Sequence, residues 1–135
     1  MPEDHPIAPW SDALRAELAG AGRNGQVGSV LVSETDHYRI WLITLAPGDR
    51  LPFHTHVLNY FWVATAPGAA RSHYADGRIV DVTYATGQTQ HMTFAAGESM
   101  THDLQNIGPT VLTFTTVEDK RSANAPLPLQ TFDSA

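Results

Sequence analysis

His54 and His56 are separated by one residue, and His102 follows further along the chain with Asn106 four residues after it. On a β-strand successive side chains alternate faces, so histidines at i and i+2 lie on one side, roughly 6–7 Å apart. That separation lets both imidazoles converge on one metal ion with bonds of about 2.0–2.1 Å. A third histidine from a strand on the same inner wall completes a cluster of three neutral nitrogen donors. Around His102, period two puts Met100, His102, Leu104 and Asn106 on one face, and Thr101, Asp103 and Gln105 on the other. The first set is mostly apolar and suits an interior; the second is polar and suits solvent. Taken alone, His102 reads as a satisfied core residue. With His54 and His56 expected on the facing wall, the reading as a metal ligand is preferred.

The elements that must position these side chains are strands. Ser11 is an N-cap for a short helix over 11–20, with Asp12 in its first turn, Gly20 as its stop and Leu14 and Leu18 as its apolar stripe. Residues 27–33 and 37–46 are rich in β-branched and aromatic side chains, and the second run is apolar on both faces. Pro47-Gly48-Asp49 is a turn, His54-Thr55-His56 begins the next strand, and Tyr60-Phe61-Trp62-Val63 continues it or starts another. Asp76-Gly77 joins 70–75 to 78–85 as a hairpin. Strands over 89–94, 99–106 and 110–118 complete the set. Short strands with turns this frequent predict a sandwich or barrel. No repeat or linker divides the chain, so residues 1–135 are expected to form one domain. Its barrel core runs over about 27–118, and an extended tail covers 119–135. The tail segment ANAPLPLQ is expected to pack on the surface or on a neighbouring subunit, with Ala125, Leu127 and Leu129 as the residues that would reach across.

Composition narrows the function. At 135 residues, with 42% hydrophobic and 16% charged residues, the chain can bury a real core. A net charge of −6 without a run of Lys and Arg disfavours nucleic acid. Cysteine is absent, which excludes disulfides, thiolate metal sites and cysteine nucleophiles. The acidic, proline-rich start MPEDHPIAPW is unlike a signal peptide, and no apolar stretch is long enough to span a bilayer, so a cytoplasmic protein without membrane contact is expected. There is no GxGxxG, P-loop or G-x-S-x-G motif.

The order Gly48-x5-His54-x-His56, followed by His102-x3-Asn106, resembles the two motifs of the cupin superfamily, G-x5-H-x-H-x3-4-E-x6-G and G-x5-P-x-G-x2-H-x3-N. The likeness covers most of residues 38–118 and implies an all-β fold, the double-stranded β-helix or jelly-roll barrel, here with a short N-terminal helix. It implies a divalent metal ion (iron, manganese, nickel or zinc) on His54, His56 and His102. The tract from APGDRLPFHTHVLNYFWV through AGESMTHDLQNIG also looks, more loosely, like small cupins linked to β-alanine degradation. The resemblance breaks at the family's glutamate, whose two permitted positions are Tyr60 and Phe61. In the second motif Ala95 replaces Pro, four residues separate Gly97 from His102 instead of two, and Gly87 lies two residues early.

Losing the glutamate leaves three neutral imidazoles around a dication, a site charge near +2 instead of +1. Such an ion is a stronger Lewis acid, deprotonates a bound water more readily and attracts carboxylate or enolate substrates. The same loss can instead weaken metal binding until the site is vestigial. Tyr60 either points its hydroxyl at the metal or substrate for acid/base work or fills the volume of the missing glutamate. His91 lies with Thr89 and Thr93 and is a candidate base or extra ligand, against a surface or structural role. Glu98, in the expansion before His102, is a candidate for the pocket rim, against a solvated turn. His73 reads as structural, and His5 and His37 fall outside the motifs. Two functions stand. One is a metal-dependent enzyme, an oxygenase, isomerase or decarboxylase, acting on a small anionic metabolite. The other is a cupin that binds or senses a small ligand without chemistry. Because small cupins commonly pair, a homodimer is expected.

Overall fold

The computed structural model of the protein describes residues 10–129; His5 and the two chain ends lie outside the described residues. Ser11 caps the helix α1 (Asp12–Ala19) as expected, its hydroxyl accepting from the Leu14 N–H at 3.1 Å, and Gly20 ends it. The strands are β1 (Val30–Glu34), β2 (Tyr38–Leu45), β3 (Arg50–His56), β4 (Asn59–Ala64), β5 (Gly68–His73), β6 (Ile79–Tyr84), β7 (Thr89–Met92), β8 (Met100–Asn106) and β9 (Leu112–Asp119). His54 and His56 therefore end a strand instead of beginning one, and Tyr60 belongs to a separate strand. Gly48 and Gly77 take φ of +87° and +98° in the turns before β3 and β6, a region that L side chains rarely adopt.

The strands form two antiparallel sheets, ordered β1-β2-β9-β4-β7 and β3-β8-β5-β6. Strict alternation along β9 buries Leu112, Phe114, Thr116 and Glu118. On β2 alternation buries Arg39, Trp41, Ile43 and Leu45, while Leu42 stays exposed, so that strand is covered on one face only. Between the sheets Ile43, Leu45, Leu51, Ala64, Ala70, Leu104, Leu112 and Phe114 form one apolar cluster, flanked by Trp62 and Tyr84. No pairing joins β6 to β7 among the described residues. Their inward side chains stay partly exposed, so the jelly roll is open along that side.

The polar face of β8 is where period-two reasoning goes wrong about solvent. Asp103 is completely buried. It accepts from Arg50 Nε at 2.7 Å and from the His73 backbone N–H at 2.6 Å, and the His73 ring lies 3.1 Å away. Arg50 also donates two hydrogen bonds to Glu17 of α1, at 2.9 and 2.8 Å. The outer side of this sheet is covered by α1 and by a second apolar cluster of Trp10, Ala21 and Phe53, with Leu14, Leu18 and Ile79 against it. A strand pattern reports which residues share a face; it does not report that a helix from elsewhere will cover the polar one. The tail likewise seats on its own chain at Leu127, whose side chain crowds Gly25 and whose carbonyl accepts from Arg39 at 3.1 Å.

Removing the buried carboxylate strands a guanidinium that is only partly reached by water. Asp103→Ala is expected to cost about 3–5 kcal/mol in urea denaturation, whereas Asp81→Ala, which breaks the exposed pair with Arg71, should cost less than about 1 kcal/mol. Equal losses would mean that the Asp103 network does not hold the helix to the sheet.

Candidate metal centre

The residue that aims the histidines is Pro52. Pairing of β3 with β8 runs Leu51↔Leu104 and then His54↔His102, so β3 carries one extra residue between these rungs. This is a β-bulge, and proline, which has no N–H to give to the ladder, is at home there. The bulge keeps Leu51 and His54 on the same inward face although they are three apart, and turns Phe53 and Thr55 outward beneath the helix. The Pro52 carbonyl sits 2.8 Å from His54 Nδ1 and accepts a hydrogen bond from its N–H, leaving Nε2 with its lone pair free to bind a metal.

His54 and His102 are cross-strand neighbours on adjacent strands of one sheet, not on facing walls. The ring centres lie 5.0 Å apart for His54 and His56, 4.7 Å for His54 and His102, and 5.2 Å for His56 and His102. One nitrogen from each falls within 4.8 Å of the others, so the three could hold a single ion. His56 Nε2 and His102 Nε2 are 3.3 Å apart, close to the separation of two donors bonded at about 2.0–2.1 Å to one tetrahedral ion. The Nδ1 atoms of His56 and His102 are buried without a hydrogen-bond partner among the described residues. The residues present therefore fit a metal ion, though only His54 has an acceptor that orients its ring.

Burial sets the protonation of all three. It holds His54 down to about 4, against the Pro52 carbonyl and Asp103, and carries His56 and His102 well below the usual value, where neighbouring imidazoles add to the effect. Neutral imidazole is the form that coordinates a metal. The ring of Tyr60 stacks on His56 with centres 4.1 Å apart and planes within 15°. Burial, followed by the charge fields of Tyr74 and Glu118, pushes its phenol well above the usual range. Tyr60 thus fills the space beside the cluster and faces the cavity as a neutral hydroxyl.

That cavity, of about 170 Å³, lies between the sheets. A site of this scale, open along the β6–β7 side, accommodates a ligand about the size of benzene. Its lining includes the three histidines, Tyr60, Tyr74, Tyr84, Met92 and Met100, with Ile43, Leu104 and Phe114 as an apolar floor. Among the described residues no Asp, Glu, Lys or Arg lines it.

Two sequence candidates are not brought here. Period two on β7 sends Gln90 and Met92 to the cavity and His91 to the outer face, where its exposed ring lies 5.1 Å from Phe61. Glu98 is exposed and caps its own turn, accepting from the Ala95 N–H at 2.6 Å. Sequence reasoning missed Glu118 altogether. It is 3% exposed, accepts from Trp41 Nε1 at 2.7 Å, and is pushed up to about 7, chiefly by burial. The signal was available: Glu118 continues the inward face of Leu112, Phe114 and Thr116, where a carboxylate is out of place.

No family model and no curated protein matches the chain. Solved structures do match. A cupin domain from Bordetella pertussis is similar with a TM-score of 0.59 at 19% identity, over 67% of this chain and 90% of that one. A protein with a double-stranded β-helix domain from Klebsiella pneumoniae gives 0.54 at 20% identity, over 84% and 90%. An RmlC-like cupin family protein from Methanocaldococcus jannaschii gives 0.52 at 23%, over 71% and 76%. Likeness at these identities carries architecture and not activity. With two antiparallel sheets, one short helix and three histidines on an inner wall, this chain has the fold of a small cupin, the double-stranded β-helix.

Proposed function

We propose that this protein is a metal-dependent enzyme acting on a small anionic metabolite. In this reading His54, His56 and His102 hold one divalent ion, which is iron, manganese, nickel or zinc. The observation that carries it is the convergence of three neutral imidazoles on the wall of a cavity with no charged side chain in its lining. When bound, the ion supplies Lewis acidity and the only positive charge in the cavity, enough to draw in a carboxylate or enolate. In this reading Ile43, Leu104 and Phe114 exclude water behind the ligand, and Tyr60, Tyr74 and Tyr84 in the lining supply hydroxyl donors for it. Oxygenase, isomerase and decarboxylase chemistry all fit such a centre.

A second reading, a cupin that binds or senses a ligand without converting it, is favoured by a separate observation. His91 and Glu98 lie outside the cavity. Burial pushes Tyr84 up to about 12 and raises Tyr60 and Tyr74, so the lining phenols keep their protons at neutral pH. For either reading we propose a homodimer in the cytoplasm. Val30, Val32 and Leu42 leave apolar side chains exposed at the β1–β2 edge, suitable for burial against a second copy.

Elemental analysis of untagged protein tests the metal. His54→Ala, His56→Ala and His102→Ala are each expected to lose it, since each removes one of three strong donors. His37→Ala and His91→Ala should retain it. Equal metal content in all five variants would leave the cluster a structural one.

Acid should unfold the metal-free protein in a characteristic window. The histidines have folded-state values below the unfolded 6.5, so the unfolded chain takes up more protons as pH falls. The stability carried by the neutral triad is complete above about pH 6.5 and is lost on descent towards 4, amounting to roughly 3 kcal/mol for His54 alone. Glu118, with a raised value, contributes in the opposite sense, losing stability as pH rises towards 7, but it is one group against three. Urea midpoints measured from pH 7.5 to 4 should fall steeply in the native chain and less steeply when all three histidines are glutamine; the same slope in both would rule the triad out as the cause.

Tyr60→Phe separates ring from hydroxyl. If the ring only fills space, metal content and thermal midpoint stay as in the native chain and ligand turnover is untouched. A drop in turnover of about tenfold or more with metal retained would assign the phenol to proton handling.

A further inference from the structure

Glu118 lies in a transverse row that crosses the whole five-stranded sheet. Register pairs Glu34 with Arg39, Arg39 with Glu118, Glu118 with Tyr60, and Tyr60 with Met92. Arg39, Glu118 and Tyr60 are all buried. Arg39 is engaged away from Glu118: its Nε donates to Glu34 at 2.9 Å and another nitrogen to the Leu127 carbonyl. Lys120 also donates to Glu34, at 2.9 Å. Glu118 takes a hydrogen bond from the Trp41 indole to Oε1. On its other side stands Tyr60, stacked on His56. The backbone of Glu118 is one strand spacing, about 4.8 Å, from that of the residue that packs against the histidine cluster. Position 60 is one of the two where the cupin motif calls for a glutamate.

We propose that Glu118 is the carboxylate of this metal centre, acting through space from the neighbouring strand in place of a ligand at position 60. This inference rests on the three histidines holding a divalent ion. A dication among them would face Glu118 across Tyr60, through a low-dielectric interior where attraction between +2 and −1 persists over distance. The groups facing Glu118 are Arg39 and Trp41 from β2 and Tyr60 from β4, with Glu34 behind Arg39. Burial raises Glu118, Glu34 adds to this, and Trp41 and Arg39 oppose it, so in the metal-free protein it is close to half protonated at neutral pH. Metal binding would expel that proton. The arrangement gives the ion a compensating charge and leaves its coordination sphere open.

Glu118→Gln separates charge from hydrogen bonding, since the glutamine carbonyl can still accept from Trp41. Affinity for Co2+ is read by competition with a chromophoric chelator at pH 7.5. Proton release on binding is read by calorimetry in two buffers of different ionisation enthalpy at pH 6.5. The expected result is a native-like thermal midpoint for metal-free Glu118→Gln, Co2+ affinity weaker by about tenfold or more, and fewer protons released per ion than in the native chain. Tyr60→Glu combined with Glu118→Gln should recover affinity, because the charge returns at the position next door. Co2+ affinity and proton release in Glu118→Gln equal to those of the native protein would overturn the proposal while leaving the three-histidine centre standing. Failure of the native protein itself to bind Co2+ would overturn both together.

Discussion

Three imidazoles packed against one another inside a protein cannot hold protons, and most of this molecule follows from that constraint. Desolvation penalises the charged form, and each ring that did protonate would repel its neighbours. The triad is thereby kept as neutral nitrogen donors, the state a metal ion requires. Keeping them so demands a dry surround. Around the imidazoles the wall of the cavity is made mostly from aromatic and aliphatic side chains, with hydroxyls and amides among them.

Holding the rings in one place is the work of the β3–β8 ladder. The bulge at Pro52 brings His54 onto the inner face in register with His102, and the Pro52 carbonyl fixes which nitrogen of His54 is free. Behind the ladder, the charges that the cavity excludes are gathered on the opposite face. Asp103 accepts from Arg50 and His73, and Arg50 reaches Glu17 of the helix. One sheet thus carries neutral donors on one side and a paired buried ion network on the other, and the helix exists in this architecture to cover the second. Isolation of the two polar systems by a single sheet thickness lets the chain bury both.

Tyr60 and Glu118 are direct neighbours across the β4–β9 ladder. Tyr60 fills the volume beside His56 with a flat ring and a neutral hydroxyl, which a carboxylate at that position would not do. The buried carboxyl of this region is found on β9, hydrogen-bonded to Trp41. Glu34, in the same transverse row, is spent on Arg39 and Lys120, and Asp119, next along the chain on the opposite face, is spent on Arg121.

Much of the fold and the centre of the site were legible in the residues themselves. Strand periodicity, the Asp-Gly hairpin and the capped helix are local effects, dictated by side-chain shape and backbone sterics, and they appear where the pattern puts them. The spacing of His54 and His56 places them on one face whatever surrounds them, and the likeness of the His102 region to a known motif named the third donor. Everything that depends on which distant segments meet was hidden. Period two could say that Asp103 opposes His102, but only the docking of α1 and Trp10 made that face dry. His91 and Glu98 were plausible in sequence because they lie near the motif, and were set aside by the phase of β7 and by a turn that Glu98 itself caps. Glu118 was passed over because it is far from His56 along the chain. The β4–β9 pairing makes it the neighbour of Tyr60, and such long-range register is decided by the collective fit of two sheets, which no single segment encodes.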